Sequence, residues 1–216
     1  MTVTLSRLAL PALALLLALP ASAQAGRQTT NINAGWDYLE QAAPTPEAAN
    51  VARGWTTVSL PHSWNVWDTA DLEPGYRRDA SWYRKTMDLT PQSGRRMLLY
   101  FEGAAMTADV FVNGERAGGH VGGYVGFDVD ITDQVQTGPN EILDYFLYGG
   151  LTRDVFLKEA PATYIERAHV LTPSVSAASG EVALRLALGG DGPGAGHTVR
   201  ARLSDPSGAT VQTVTE

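Results

Sequence analysis

The residues best placed for acid/base chemistry in this sequence are carboxylates, and Asp128 and Asp130 come nearest to a pair. Phe127, Val129 and Ile131 alternate with them, so both acids fall on one strand face, roughly 7 Å apart at a rise of about 3.3 Å per residue. Two acids on one face also describe a solvated sheet surface, and that is the reading preferred for them. Glu102, Asp109, Glu115, Glu141 and Asp154 stand singly. Glu102 and Asp109 border or interrupt apolar runs and suit turn or hydrogen-bonding duties in a sheet. His62, His120, His169 and His197 lack the paired spacing of metal ligands; ring-to-backbone hydrogen bonds that hold turns suit His62 and His120 better. No Gly-rich loop leads into Lys and Ser or Thr, and no Gly-x-Ser-x-Gly elbow occurs. Nucleotide hydrolysis and triad esterase chemistry therefore find no support. No catalytic residue, metal ligand or cofactor site is assigned.

Composition narrows the field further. The 216 residues suffice for one domain, or one and part of another. A formal net charge of −7 argues against nucleic acid, which is held mainly by Lys and Arg on phosphates. The same charge fits a neutral ligand without selecting one. Cysteine is absent, which excludes disulfides and thiolate chemistry. Residues 1–25 read as a targeting segment: Arg7 starts it, Leu8 to Leu19 is apolar, and Pro20 ends the run before Ala21-Ser22-Ala23. The apolar run is shorter than the roughly 20 residues a bilayer requires. The expectation is an exported protein, periplasmic or extracellular, with no membrane segment once the leader is removed.

Twelve prolines and twenty-two glycines punctuate the chain into short segments, the texture of many strands and turns. Met97 to Phe101 and Thr107 to Val112 are short apolar runs that predict two buried strands. Asn113-Gly114 after the second is a dipeptide suited to a tight hairpin turn. Trp36 to Leu39, Trp55 to Leu60, Ser81 to Leu89 and Tyr124 to Ile131 predict further strands. Gln41 to Asn50, with Pro44 and Pro46, predicts a loop, as do Pro61 to Asp79 and the Gly-bracketed stretch around His120. Beyond Pro161, four segments, at Tyr164–Leu171, Glu181–Leu188, His197–Leu203 and Ala209–Thr215, predict strands. They form the opening half of an immunoglobulin-like sandwich, whose complete version takes about 100 residues. A half-sandwich leaves its inner face uncovered.

Several pieces, taken in order, carry a family resemblance. They are Ala34-Gly-Trp36, Trp55-Thr-Thr-Val-Ser-Leu-Pro-His-Ser-Trp64, Trp82-Tyr-Arg-Lys85, Leu99-Tyr-Phe-Glu-Gly-Ala104 and Ala108-Asp-Val-Phe-Val-Asn-Gly114. Gly119-His120, Gly122-Gly-Tyr124, Phe127-Asp-Val-Asp-Ile131 and Leu147-Tyr-Gly-Gly-Leu-Thr-Arg-Asp-Val155 continue them. In this order and spacing the chain resembles the amino-terminal, sugar-binding domain of glycoside hydrolase family two, the β-galactosidase and β-glucuronidase group. The resemblance implies an all-β architecture: a jelly-roll sandwich over residues 26–160, then a truncated immunoglobulin-like sandwich over 161–216. It implies a (β/α)₈ barrel elsewhere that holds both catalytic glutamates, and a retaining hydrolase needs such a pair about 5 to 5.5 Å apart. The sequence departs from the family where Asn140-Glu-Ile-Leu143 runs almost directly into Asp144-Tyr-Phe-Leu-Tyr-Gly-Gly150. A further strand and a loop usually lie between these pieces.

The same resemblance gives Asp144 a role, because in β-galactosidases an aspartate at this place reaches toward the sugar pocket. A carboxylate accepting two sugar hydroxyls would orient a neutral ligand. Trp64, Trp67, Tyr76 and Trp82 are aromatic platforms for a sugar face, with core packing expected for Trp55 and Trp82. Asp144, Trp64 and Trp67 are the carbohydrate-binding residues assigned, and Arg153-Asp154 is read as an ion pair at the domain junction. The expected function is the scaffold and sugar-binding portion of an exported β-glycosidase, without hydrolysis of its own. Its expected partners are a β-glycoside and a barrel-bearing segment or oligomer partner. A self-standing carbohydrate-binding module and a non-functional truncated remnant remain as alternatives.

Overall fold

The computed structural model describes residues 26–40, 43–67, 77, 79–147, 149–176, 179–192 and 198–215. The targeting segment 1–25, Tyr76, His197 and the side chain of Trp67 lie outside this description. The strands are β1 (Gln28–Asn31), β2 (Trp36–Leu39), β3 (Thr56–Val58), β4 (Ala80–Leu89) and β5 (Arg95–Phe101). They continue as β6 (Thr107–Val112), β7 (Glu115–Val121), β8 (Phe127–Asp130), β9 (Gly138–Leu147) and β10 (Val155–Pro161). Then come β11 (Thr163–Val175), β12 (Gly180–Gly190), β13 (Arg200–Ser204) and β14 (Thr210–Thr215). A short helix, α1 (Pro46–Val51), stands between β2 and β3. The all-β class expected from the sequence is the class observed.

Two antiparallel sheets face each other, one ordered β1-β10-β5-β8 and the other β3-β2-β4-β9-β6-β7. Between them lie Trp36, Tyr83, Leu99, Phe101, Val110, Ile131, Ile142 and Val155, each fully buried. Strand periodicity sends neighbouring side chains to opposite faces. Accordingly Tyr83 enters this core while Trp82 joins Leu39, Leu143 and Ala49 on the other side of the larger sheet. That second layer exists because α1 covers the outer face there.

The helix replaces the loop expected over Gln41 to Asn50. Thr45 is its N-cap, accepting a hydrogen bond from the Ala48 amide at 3.2 Å, and Pro46 opens its first turn. A proline at the first helical position is a start signal, since its missing N–H would be unpaired there in any case. The predicted loop around His120 is likewise a strand, β7. Its glycines allow close approach: a Cβ at Gly119 would lie 2.6 Å from the Ala108 carbonyl, and one at Gly118 would lie 2.8 Å from Val129. The hairpin before it turns on Asn113 and Gly114, at φ 52° and 84°, as the dipeptide requires.

Past Pro161, among the described residues, β11 pairs only with β12, and β13 only with β14. Val170, Val182, Leu184, Leu203 and Val214 are exposed there and line a cleft of about 540 Å³ between the two hairpins. Among the described residues no helix is long and apolar enough to cross a membrane.

Candidate functional site

The turn from Pro61 sets four rings at one end of the larger sheet. The His62 amide donates to the Leu151 carbonyl at 2.8 Å, which ties the turn to the segment after Gly149-Gly150. Trp64 begins a single 3₁₀ turn, Trp64–Trp67. Its ring stacks on Tyr38 at 6.0 Å between centroids and on Tyr83 at 6.4 Å. His62 Nδ1 lies 2.6 Å from the Tyr83 hydroxyl, and the His62 ring sits 4.8 Å from that of Tyr38. Burial lowers the His62 pKa and raises that of Tyr83, so the pair is neutral imidazole and neutral phenol at ordinary pH. The Arg77 guanidinium lies 5.3 Å from the Trp64 ring centroid and donates to Ser81 Oγ at 2.8 Å and to the Ala80 and Glu40 carbonyls.

This arrangement uses the faces of Trp64 for internal packing. Its indole Nε1 is buried without a hydrogen-bond partner, so Trp64 reads as a cluster member and presents no free platform. Trp82 is buried, with Nε1 donating to the Ala43 carbonyl at 3.0 Å, and Trp55 packs half-buried beneath Arg84. Core packing was the expectation for both. His62 departs from its expected ring-to-backbone bond by pairing with a side-chain hydroxyl. His120 stacks on Phe127 at 4.4 Å and leaves Nε2 buried and unpartnered.

Asp144 sits on β9 opposite Tyr83 of β4 and Val110 of β6. The inner face of β9 carries Asn140, Ile142 and Asp144, all fully buried. Neither carboxylate oxygen of Asp144 has a hydrogen-bond partner. Burial pushes its pKa well above the usual carboxylate range and Asp109 adds to the shift; the neighbouring Tyr145 amide, close enough to favour the charged form but outside hydrogen-bonding geometry, offsets only part of it. The physical reason for the placement is the short connection noted in the sequence. Asn140 to Leu147 is drawn into one continuous strand, so Asp144 faces the sandwich interior and offers no oxygen to a ligand in this conformation.

Four of the other candidate acids are committed to structural partners, and Glu141 accepts from the Asn50 side-chain amide at 2.5 Å. Asp128 accepts from Lys158 Nζ at 2.9 Å, Asp130 from Arg96 at 3.0 Å, and Asp109 from Arg116 at 2.7 Å. Asp154 accepts from Asn33 at 3.0 Å and Asn31 at 3.4 Å, which replaces the expected pairing with Arg153. Asn33 in turn accepts from the Val155 amide, a bridging role that its position before Ala34-Gly35 did not announce. Among the described residues no group of three His, Cys, Asp or Glu could hold a metal ion.

Gly150 locks the site's base. At φ 96° it occupies backbone space that L side chains avoid, and a Cβ there would lie 2.5 Å from the His62 carbonyl oxygen and 2.6 Å from the Tyr83 hydroxyl. Gly150→Ala is therefore expected to cost about 2 kcal/mol or more. Thermal unfolding would show this as a drop in Tm of at least roughly 4 °C.

Comparison with known proteins agrees with this geometry. Residues 66–147 match the profile described as the glycosyl hydrolase 2 galactose-binding domain-like family. A protein of Formosa agariphila named "Putative beta-glucuronidase" is 37% identical over 203 residues, covering 86% of this chain and 24% of its own. A β-galactosidase of Thermoanaerobacter pseudethanolicus is 28% identical over 193 residues, covering 76% of this chain and 25% of its own. The crystal structure of Bacteroides uniformis β-glucuronidase superimposes with a TM-score of 0.73 at 26% identity, covering 88% of this chain and 26% of that one. The chain thus spans about a quarter of the length of the relatives it matches. It carries the galactose-binding-like β-sandwich of glycosyl hydrolase family 2 and corresponds to the amino-terminal part of those enzymes.

Proposed function

We propose that this chain is the scaffold and sugar-binding portion of an exported family 2 β-glycosidase and does not cleave glycosides by itself. The observation that carries this reading is the state of its acids. Asp109 and Asp128 are each held by a cation, Asp130 by Arg96, which also pairs with Asp191, and Asp154 is held by two amides. Asp144 is sealed away alone. Retaining hydrolysis needs two carboxyls facing one sugar about 5 to 5.5 Å apart, and none of these acids is free to form such a pair. The ligand of the assembled enzyme would be a β-glycoside, as the names of the relatives suggest. A barrel-bearing segment or partner would supply the chemistry, with this sandwich forming one wall of the pocket. Export rests on the leader-like run from Arg7 to Ala25. Incubating the purified chain with chromogenic β-galactosides, β-glucuronides and β-mannosides should give no release above a blank; steady turnover of any of them would refute the proposal.

A further inference from the structure

The turn between β6 and β7 holds a chemically reactive pair of residues. Of the six asparagines in the sequence, Asn113 alone is followed by glycine. Gly114 puts no side chain beside its own amide nitrogen, so that nitrogen can reach the side-chain carbonyl carbon of Asn113. Attack there closes a succinimide: a bond forms between Gly114 N and Asn113 Cγ, the Cγ–Nδ2 bond breaks, and ammonia leaves carrying the amide proton. Water then opens the ring at either carbonyl and gives aspartate or isoaspartate. The only co-reactant is water, and both residues are exposed to it.

The fold restrains this reaction. Asn113 Nδ2 donates to the Gln134 carbonyl and to Asn140 Oδ1, each at 2.9 Å, and its Oδ1 accepts from the Glu141 amide at 3.0 Å. The Asn113 amide donates to the Glu141 carbonyl at 2.8 Å. Swinging Cγ toward Gly114 N breaks the three side-chain bonds, so the folded turn must open before it reacts. The orientation of the clasp is fixed from the other side as well. Asn140 is fully buried; its Oδ1 also accepts from the Gln136 amide at 2.8 Å, and its Nδ2 donates to the Gln136 and Gly138 carbonyls at 2.7 and 2.8 Å. Turning its amide over to suit a different neighbour would forfeit all three of those bonds.

We propose that Asn113 is a spontaneous deamidation site that the folded chain holds in check, and that its conversion unfastens the β6–β7 turn from β9. An ionised aspartate has no hydrogen to donate, so its carboxylate would meet two acceptors, the Gln134 carbonyl and Asn140 Oδ1. Glu115, two residues along, adds a like charge. Isoaspartate would in addition insert a methylene into the backbone of a two-residue turn. Strands β6 and β7 pair directly on either side of it, at Val112 and Glu115, so the extra atom disturbs their register.

The full chain should be incubated at mildly alkaline pH, both folded in buffer and unfolded in concentrated guanidinium, and sampled over time by peptide mapping with an isoaspartate assay. The peptide holding Asn113 should gain the mass of deamidation and isoaspartate in the unfolded chain, at least about tenfold faster than in the folded one. Asn33, which precedes alanine, serves as the internal reference and should change far less. Asn113→Asp should melt about 4 °C or more below the wild type. Equal conversion rates in the two states would overturn the restraint by the fold. An unfolded chain that leaves Asn113 intact would overturn the site, and Asn113→Asp melting with the wild type would overturn the unfastening. The mass readout uses the unsubstituted chain, so it decides the site even where the variant does not fold.

Discussion

Asp144→Leu is expected to stabilise this protein by on the order of 3 kcal/mol at pH 7, or roughly 6–12 °C in Tm. A buried polar group without a hydrogen bond costs about 1–3 kcal/mol by itself. Neither oxygen of Asp144 has a partner, and its exposure is nil. The carboxyl adds a second cost, because burial holds its folded pKa well above the ordinary value. Between the unfolded pKa, about 3.9, and the raised folded one, the native state binds a proton that the unfolded state has released. Stability attached to this proton is complete below about pH 4 and is lost as pH rises toward the folded pKa. The wild type should therefore weaken by about 1.4 kcal/mol per pH unit through that window, and Asp144→Leu should remove this contribution to the slope. Urea melts of both proteins at several pH values from 4 to 8 would measure it. Parallel pH profiles for the two would show that Asp144 is solvated or paired after all.

Trp36→Ala should have the largest opposite effect, about 3–5 kcal/mol of destabilisation. Trp36 lies fully buried in the core between the sheets, and its indole Nε1 donates to the Ile32 carbonyl at 2.7 Å. Truncation removes the ring from that core and leaves the carbonyl without its donor. Domains of this kind have total stabilities of about 5–15 kcal/mol, so the loss takes a large share. Trp36→Phe keeps most of the packing and should cost clearly less. Denaturant midpoints for the two variants check the order, and equal midpoints would show that the ring adds nothing beyond its hydrogen bond.

Much of the sheet architecture was readable from alternation and turn chemistry. Strand β4 showed its period of two in Trp82 and Tyr83 onward, and Asn113-Gly114 marked the β6–β7 hairpin. Strand β1 was missed because all four of its residues are exposed; it is held by pairing with β10 and so carries no apolar pattern. Helix α1 was missed because Pro44 and Pro46 were read as breakers, although Thr45-Pro46-Glu47 is also a start signal. Strand β7 was hidden by glycines that look like loop residues but serve close packing against β6.

The site was harder to read than the fold, because sequence gives a residue's type and not its direction. Trp64 has the chemistry of a sugar platform, yet its ring is engaged by Tyr38, Tyr83 and Arg77. Asp144 matched a pocket residue by order along the chain. The continuous strand from Gly138 to Leu147 fixes the parity of its side chains, and that parity turns Asp144 inward. The connection before β8 was misjudged, because alternation over Tyr124 to Ile131 predicted a strand whereas β8 begins only at Phe127.

The separation of this sandwich from bond-breaking chemistry is most directly tested with a mechanism-based glycosidase inactivator. A cyclophellitol aziridine captures the nucleophilic carboxylate of a retaining glycosidase as a covalent ester. After incubation with galacto- and glucurono-configured versions, the intact mass of the chain should be unchanged. A single stoichiometric adduct on an Asp or Glu would show that a competent nucleophile resides in these residues and would contradict the account.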